Sequence, residues 1–217
     1  MSELFRIKIC GITNQADATV AVNAGADAIG LNFYTTSLRS ITAEEAANIE
    51  TPDSVSRVGN FVNHGVKEVI RIAETAKLDF VQLHGDETPE EFANFRRPIP
   101  LIPVIRIKSG ADAATVIDAI KKWSDQDGLD IAAILLDAQV GKAYGGTGHQ
   151  LDWKLAAAIV EASPLPVILA GGLNAENVSQ AIEQVRPYGV DVASGVEALP
   201  GKKDPAQVRQ FVANAAQ

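Results

Sequence analysis

Short apolar runs rich in β-branched residues alternate along the whole chain with longer segments whose apolar positions recur at helical spacing. The runs predict strands at 6–10 (RIKIC), 27–33 (DAIGLNF), 57–62 (RVGNFV), 79–84 (DFVQLH), 101–107 (LIPVIRI), 131–137 (IAAILLD), 166–170 (PVILA) and 190–194 (VDVAS). Between and after them, helices are predicted at 14–23, 42–49, 66–76, 88–95, 111–123, 152–161, 175–184 and 205–215. Helix starts carry capping residues: Thr42 with Glu45 at capping-box spacing, Asn174 before Ala175, and Asp204 before Pro205.

Eight strand–helix units with no linker or low-complexity break predict one domain over residues 1–217, a single-domain α/β (β/α)8 TIM barrel. An open doubly wound sheet would alternate in the same way, but the first turn is Cys10-Gly11-Ile12-Thr13, without a glycine fingerprint. Two connections exceed what a βα turn needs, Tyr34 to Ile41 after the second strand and the glycine-rich Ala138 to Gln150 after the sixth. Both follow strands, so both fall on the barrel's C-terminal face, where substrate contacts and a lid are expected.

Charge and composition narrow the partners. The net charge of −8 excludes a general nucleic-acid binder, yet leaves room for a small anion held by backbone amides. No apolar run approaches the roughly 20 residues that span a bilayer, and the start lacks a signal-peptide pattern, so a cytoplasmic protein is expected. A single cysteine fits a reducing compartment. His64, His84 and His149 lie too far apart in sequence to suggest a metal site.

Strand alternation selects the candidate chemistry. In the first strand Ile7 and Ile9 should face the helices, while Arg6, Lys8 and Cys10 face the interior, with Cys10 at the rim and Gly11 leaving room beside it. Lys8 one layer below should lower the thiol pKa; the plainer reading of Cys10 is inert packing. In the sixth strand Ile131, Ala133, Leu135 and Asp137 should share the interior face, which ends in a carboxylate that either does chemistry or pairs with Lys8. Gln82 and His84 face inward in the fourth strand, and Asp191 is a buried acid in the eighth. The turns LAGGLN and VASGVE, with Gly171, Gly172, Ser194 and Gly195, stand where barrels commonly hold a phosphate.

KICGIT, FVN, QLHG, LLDA, YGGTG, AGGLN, VDVASGVEA and PGKKD resemble, in order and spacing, the phosphoribosylanthranilate isomerases, (β/α)8 barrels of tryptophan biosynthesis. The resemblance covers essentially the whole chain. It implies an Amadori rearrangement without metal or organic cofactor, with Asp137 as general acid and Cys10 as general base. It implies further that Arg39 pairs with the anthranilate carboxylate, that Gly171, Gly172, Ser194 and Gly195 bind phosphate, and that His84 and Asp191 line the site. The partner implied is a small phosphorylated substrate; a barrel of this size is expected as either a monomer or a homodimer, which the sequence leaves open. The loop TTSLRS, with Ser40 after the arginine, and Ala193 depart from the family pattern. An aldolase would need a rim lysine, a metal-dependent epimerase clustered ligands, and a non-catalytic phosphate-binding barrel would not need Cys10 and Asp137.

Overall fold

The computed structural model describes residues 3–95, 97–108, 110–138 and 151–217. Most of the glycine-rich loop after the sixth strand, 139–150 with His149, therefore lies outside the described residues. Eight parallel strands close into a barrel in sequence order: β1 (Ile7–Cys10), β2 (Ala28–Asn32), β3 (Ser56–Phe61), β4 (Phe80–Leu83), β5 (Leu101–Ile107), β6 (Ile134–Ala138), β7 (Val167–Leu169) and β8 (Gly189–Val192). Closure is made by β1 against β8, with Lys8 opposite Asp191. The helices that follow each strand are α1 (Gln15–Ala24), α2 (Ala43–Ala47), α3 (Val66–Thr75), α4 (Pro89–Phe92), α5 (Ala113–Ser124), α6 (Trp153–Ala162), α7 (Val178–Val185) and α8 (Pro205–Ala215).

Alternation along the strands splits the core in two. Ile9, Ile29, Leu31, Val81, Leu136 and Leu169 point outward and pack under the helices. Phe5, Ala28, Val58, Phe80, Ile102, Leu135 and Ile168 fill the barrel interior as an apolar floor. Above that floor the inward positions turn polar: Lys8, Gln82, Asn60, Asp137 and Asp191 are all buried. An apolar floor under a polar upper layer confines the chemistry to one end of the barrel.

Two local expectations are corrected, and one element is new. Asn174 does not cap α7; its side chain accepts from the amides of Glu176 and Asn177, forming a turn, and the helix begins only at Val178. Ile131 does not share a face with Asp137; it bridges to Leu101 and packs with the outer core, and the strand starts at Ile134. After β8 the chain forms a short 3-10 helix, Ser194–Val196, and an antiparallel hairpin, β9 (Glu197–Leu199) and β10 (Lys202–Lys203), which the alternation pattern does not predict. The capping box at Thr42 and the Asp204 cap form as expected.

Candidate active site

The polar end of the barrel is the C-terminal end of the strands. Cys10 ends β1 facing inward and is 7% exposed. Asn60 on β3 donates from Nδ2 to Cys10 Sγ at 2.9 Å. Cys10 pairs in register with Gly30 of β2, where a Cβ would stand 2.9 Å from Sγ, so only glycine leaves the sulfur its place. Burial pushes the thiol pKa up. The charges of Lys8 and Lys203 and the Asn60 hydrogen bond pull it down, Asp191 opposes them, and the net shift is upward. The expected lowering by Lys8 is thus present but outweighed, because desolvating a thiolate costs more than one neighbouring ammonium returns.

Lys8 is fully buried beneath the rim. Its Nζ lies 2.8 Å from Asp191 Oδ1 and donates to Gln82 Oε1 at 3.0 Å. The Asp191 contact is an ion pair buried in the barrel wall, and it helps hold the Lys8 charge. The sequence alternative of a Lys8–Asp137 pair is not what forms, since the barrel's closure sets Lys8 beside β8 instead. Asp137, 6% exposed, accepts from its neighbour's amide, Ala138 N, at 2.8 Å and lies 3.2 Å from His84 Nε2. His84 Nδ1 in turn faces Gln82 Nε2 at 3.1 Å.

Arg39 comes from the loop after β2. Asn32 Nδ2 donates to Ser37 Oγ at 3.1 Å, the same oxygen takes the Arg39 amide at 3.2 Å, and Ile41 N closes back onto Asn32 O at 2.9 Å. These bonds hold the loop even with the unusual TTSLRS sequence. The guanidinium forks onto Glu197, Nε to Oε1 at 2.8 Å and Nη2 to Oε2 at 2.7 Å. The aliphatic stem of Arg39 lies over Gly11 (φ +76°), with Cδ 2.6 Å from where a Cβ would be. The room that Gly11 opens is therefore filled by Arg39 rather than left vacant.

Glu197 also accepts from the buried Lys203 Nζ at 2.9 Å, and that ammonium donates to Ala193 O at 2.9 Å. Burial raises the Glu197 pKa, but Arg39 and Lys203 together hold it below the usual carboxylate range. Glu197, Lys203 and Asn60 were not selected from the sequence. Inward alternation of β3 marks Asn60, but Glu197 and Lys203 lie on a hairpin that no period reveals. Arg106 is also missed: it stands opposite Asp137 in register and bonds Asp86 and Gly85 O at the same rim.

A cavity of about 60 Å³ opens beside Asp137, lined by Gly171, Gly172, Asp191, Ala193, Ser194 and Gly195. Gly171 and Gly172 adopt φ of +83° and +70°, which glycine alone tolerates well. A Cβ on Gly195 would stand 1.9 Å from Leu173 O, so the turns after β7 and β8 touch through backbone. Gly195→Ala is expected to lower stability by about 1–3 kcal/mol through this overpacking, read as a shift in the urea midpoint at unchanged slope. Among the described residues no group of histidines, cysteines or carboxylates could hold a metal ion, and no helix is long and apolar enough to cross a membrane.

A closed parallel barrel with its polar side chains gathered at the C-terminal strand ends falls in the class of (β/α)8-barrel enzymes. Residues 7–214 match the family model for N-(5'phosphoribosyl)anthranilate (PRA) isomerase. The chain is 45% identical over 214 residues to the N-(5'-phosphoribosyl)anthranilate isomerase of Geobacter metallireducens, covering 98% of this chain and 99% of that one. It superposes on the phosphoribosyl anthranilate isomerase of Thermotoga maritima with a TM-score of 0.84 at 38% identity, covering 98% and 99% of the two chains. A phosphoribosyl anthranilate isomerase in complex with reduced 1-(o-carboxyphenylamino)-1-deoxyribulose 5-phosphate matches with a TM-score of 0.81 at 38% identity and the same coverage. The chain belongs to the N-(5'-phosphoribosyl)anthranilate isomerase family.

Proposed function

We propose that residues 1–217 act as one catalytic domain, a phosphoribosylanthranilate isomerase of tryptophan biosynthesis. It converts N-(5-phospho-β-D-ribosyl)anthranilate to 1-(2-carboxyphenylamino)-1-deoxy-D-ribulose 5-phosphate by an Amadori rearrangement. Asp137 is the general acid: its proton goes to the furanose ring oxygen as the C1′–O bond breaks, leaving a Schiff base. Cys10, as thiolate, is the general base: it takes the C2′ proton, and the electron pair of that C–H bond forms the enolamine. Tautomerisation then gives the ketone. The observation that carries this reading is the shared position of Cys10 and Asp137, both inward at the C-terminal strand ends, with the glycine-lined cavity directly beside Asp137. An acid and a base so placed can act on two atoms of one sugar.

The cavity lined by Gly171, Gly172, Ser194 and Gly195 is suited to the 5-phosphate, where backbone amides bind an anion in a protein of net negative charge. Asp191 lines that cavity, so its carboxylate suits a sugar hydroxyl. Arg39 is assigned to the anthranilate carboxylate. Its Nε edge is taken by Glu197, so the substrate is met by the remaining N–H groups of the guanidinium. Arg39→Ala is expected to raise KM about tenfold or more with a smaller change in kcat, the loss of roughly one charge-assisted hydrogen bond. An unchanged KM in steady-state assays would send the carboxylate elsewhere. The reading as a whole is tested by following the fluorescence of phosphoribosylanthranilate with the purified protein; substrate that persists at its uncatalysed rate overturns it.

A further inference from the structure

Asp137 is held by an imidazole whose own orientation is set one residue further down. Lys8 stays an ammonium in the barrel wall: burial works against the charge, but Asp191 and Cys10 outweigh it. An ammonium has only hydrogens to offer, so the Gln82 atom 3.0 Å from Nζ is the amide oxygen. That leaves the amide nitrogen facing His84 Nδ1 at 3.1 Å. An NH2 group can only donate, so Nδ1 is the bare, accepting nitrogen and the ring proton sits on Nε2. Nε2, 3.2 Å from Asp137 Oδ2, then donates to it.

We propose that Gln82 is a positioning residue for the isomerisation: fixed by Lys8, it selects the Nε2–H tautomer of His84 and so points a hydrogen-bond donor at Asp137. The inference rests on the reading of Asp137 as the acid, but the tautomer itself does not. Gln82 is fully buried, and both ends of its amide are used. Turning the amide over would place an NH2 against an ammonium and an oxygen against the ring nitrogen, so one orientation alone satisfies all the groups. Other polar groups nearby are engaged elsewhere: Glu87 accepts from the amides of Asn63 and Gly85 at 2.5 and 2.7 Å, and Arg106 is on Asp86 and Gly85 O. One asymmetric amide thus sets the polarity of a chain running from β1 through β4 to β6.

Gln82→Glu reverses one link of that chain. A carboxylate accepts from Lys8 as before but now requires a proton on His84 Nδ1. The test is nitrogen-15 NMR of the histidine rings in the full chain, at a pH above the ~6.5 of a free imidazole, with the His84 signals identified by their loss in His84→Asn. The wild-type ring is expected to carry its proton on Nε2, and the Gln82→Glu ring on Nδ1. The variant's kcat is expected to fall about 10- to 100-fold, the range for losing a group that orients a functional imidazole, with KM little changed. A wild-type Nδ1–H ring, or a tautomer indifferent to Gln82→Glu, overturns the proposal; the wild-type spectrum decides even if the variant folds poorly. A Nε2–H ring together with a fully active Asp137→Asn variant would support the tautomer assignment while removing the acid role on which the catalytic part depends.

Discussion

Replacing Cys10 by serine is expected to lower kcat/KM by about 10²- to 10⁴-fold, the usual contribution of a positioned acid or base. A serine hydroxyl fits the same space against Gly30 and Asn60 but is a far weaker proton acceptor at any working pH. Turnover near that of the wild type would show that the C2′ proton goes to another group. The wild-type enzyme adds a check from its pH dependence. The base must be a thiolate, and burial raises the Cys10 pKa above its ordinary value. The thiol form therefore dominates at neutral pH, and kcat/KM is expected to climb with pH through and beyond the ~8.5 of a free thiol. A profile already flat through that range would place the ionisation lower and contradict the dominance of burial over Lys8 and Lys203.

Asp137→Asn is expected to cost a similar 10²- to 10⁴-fold in kcat, about the span of a lost general acid, while a reduced product analogue still binds, measured by isothermal titration calorimetry. The substitution keeps the shape of the side chain but removes the transferable proton. It also sets an NH2 against one of two existing donors, Ala138 N and the His84 ring, so a modest loss of stability accompanies the loss of rate. An Asp137→Asn enzyme that turns over normally would remove the carboxyl from the acid role. Because the two expected losses belong to different proton transfers, the variants separate by pH: the alkaline climb persists, at reduced amplitude, in the Asp137 variant and disappears in the Cys10 variant.

What alternation could deliver, it delivered. Period-two reading of RIKIC placed Lys8 and Cys10 inward because a closed barrel buries both faces of every strand and leaves the side-chain direction as the only choice. The same rule placed Gln82, Asp137 and Asp191 correctly. It failed at Ile131, where the chain touches the sheet by one bridge before joining it at Ile134. It also could not say which acid Lys8 meets, since that depends on how β1 and β8 are staggered at closure and not on either strand alone. The Arg39–Glu197–Lys203 cluster was illegible for a similar reason: its members come from the loop after β2 and from a hairpin after β8, and short strands such as Glu197–Leu199 carry no periodic signal. Asn174 misled because an asparagine that closes a turn and one that caps a helix look alike until the next three residues choose.

The surroundings of Cys10 join two segments far apart in sequence, 8–39 and 191–203. Lys8 meets Asp191, Arg39 meets Glu197, Thr13 Oγ1 donates to Gly201 O at 3.1 Å, and the Lys203 amide donates to Asp17 at 3.1 Å. During synthesis the thiol therefore emerges well before the groups from 191–203 that help enclose it. At ~5–20 residues per second the interval from Cys10 to Lys203 is about 10 to 40 s. For that time the enzyme's only sulfhydryl is an ordinary exposed cysteine on a nascent chain, open to oxidation and mixed-disulfide formation. The residue on which the proposed chemistry depends is thus most vulnerable before the protein can use it, and barrel closure is the step that ends the exposure.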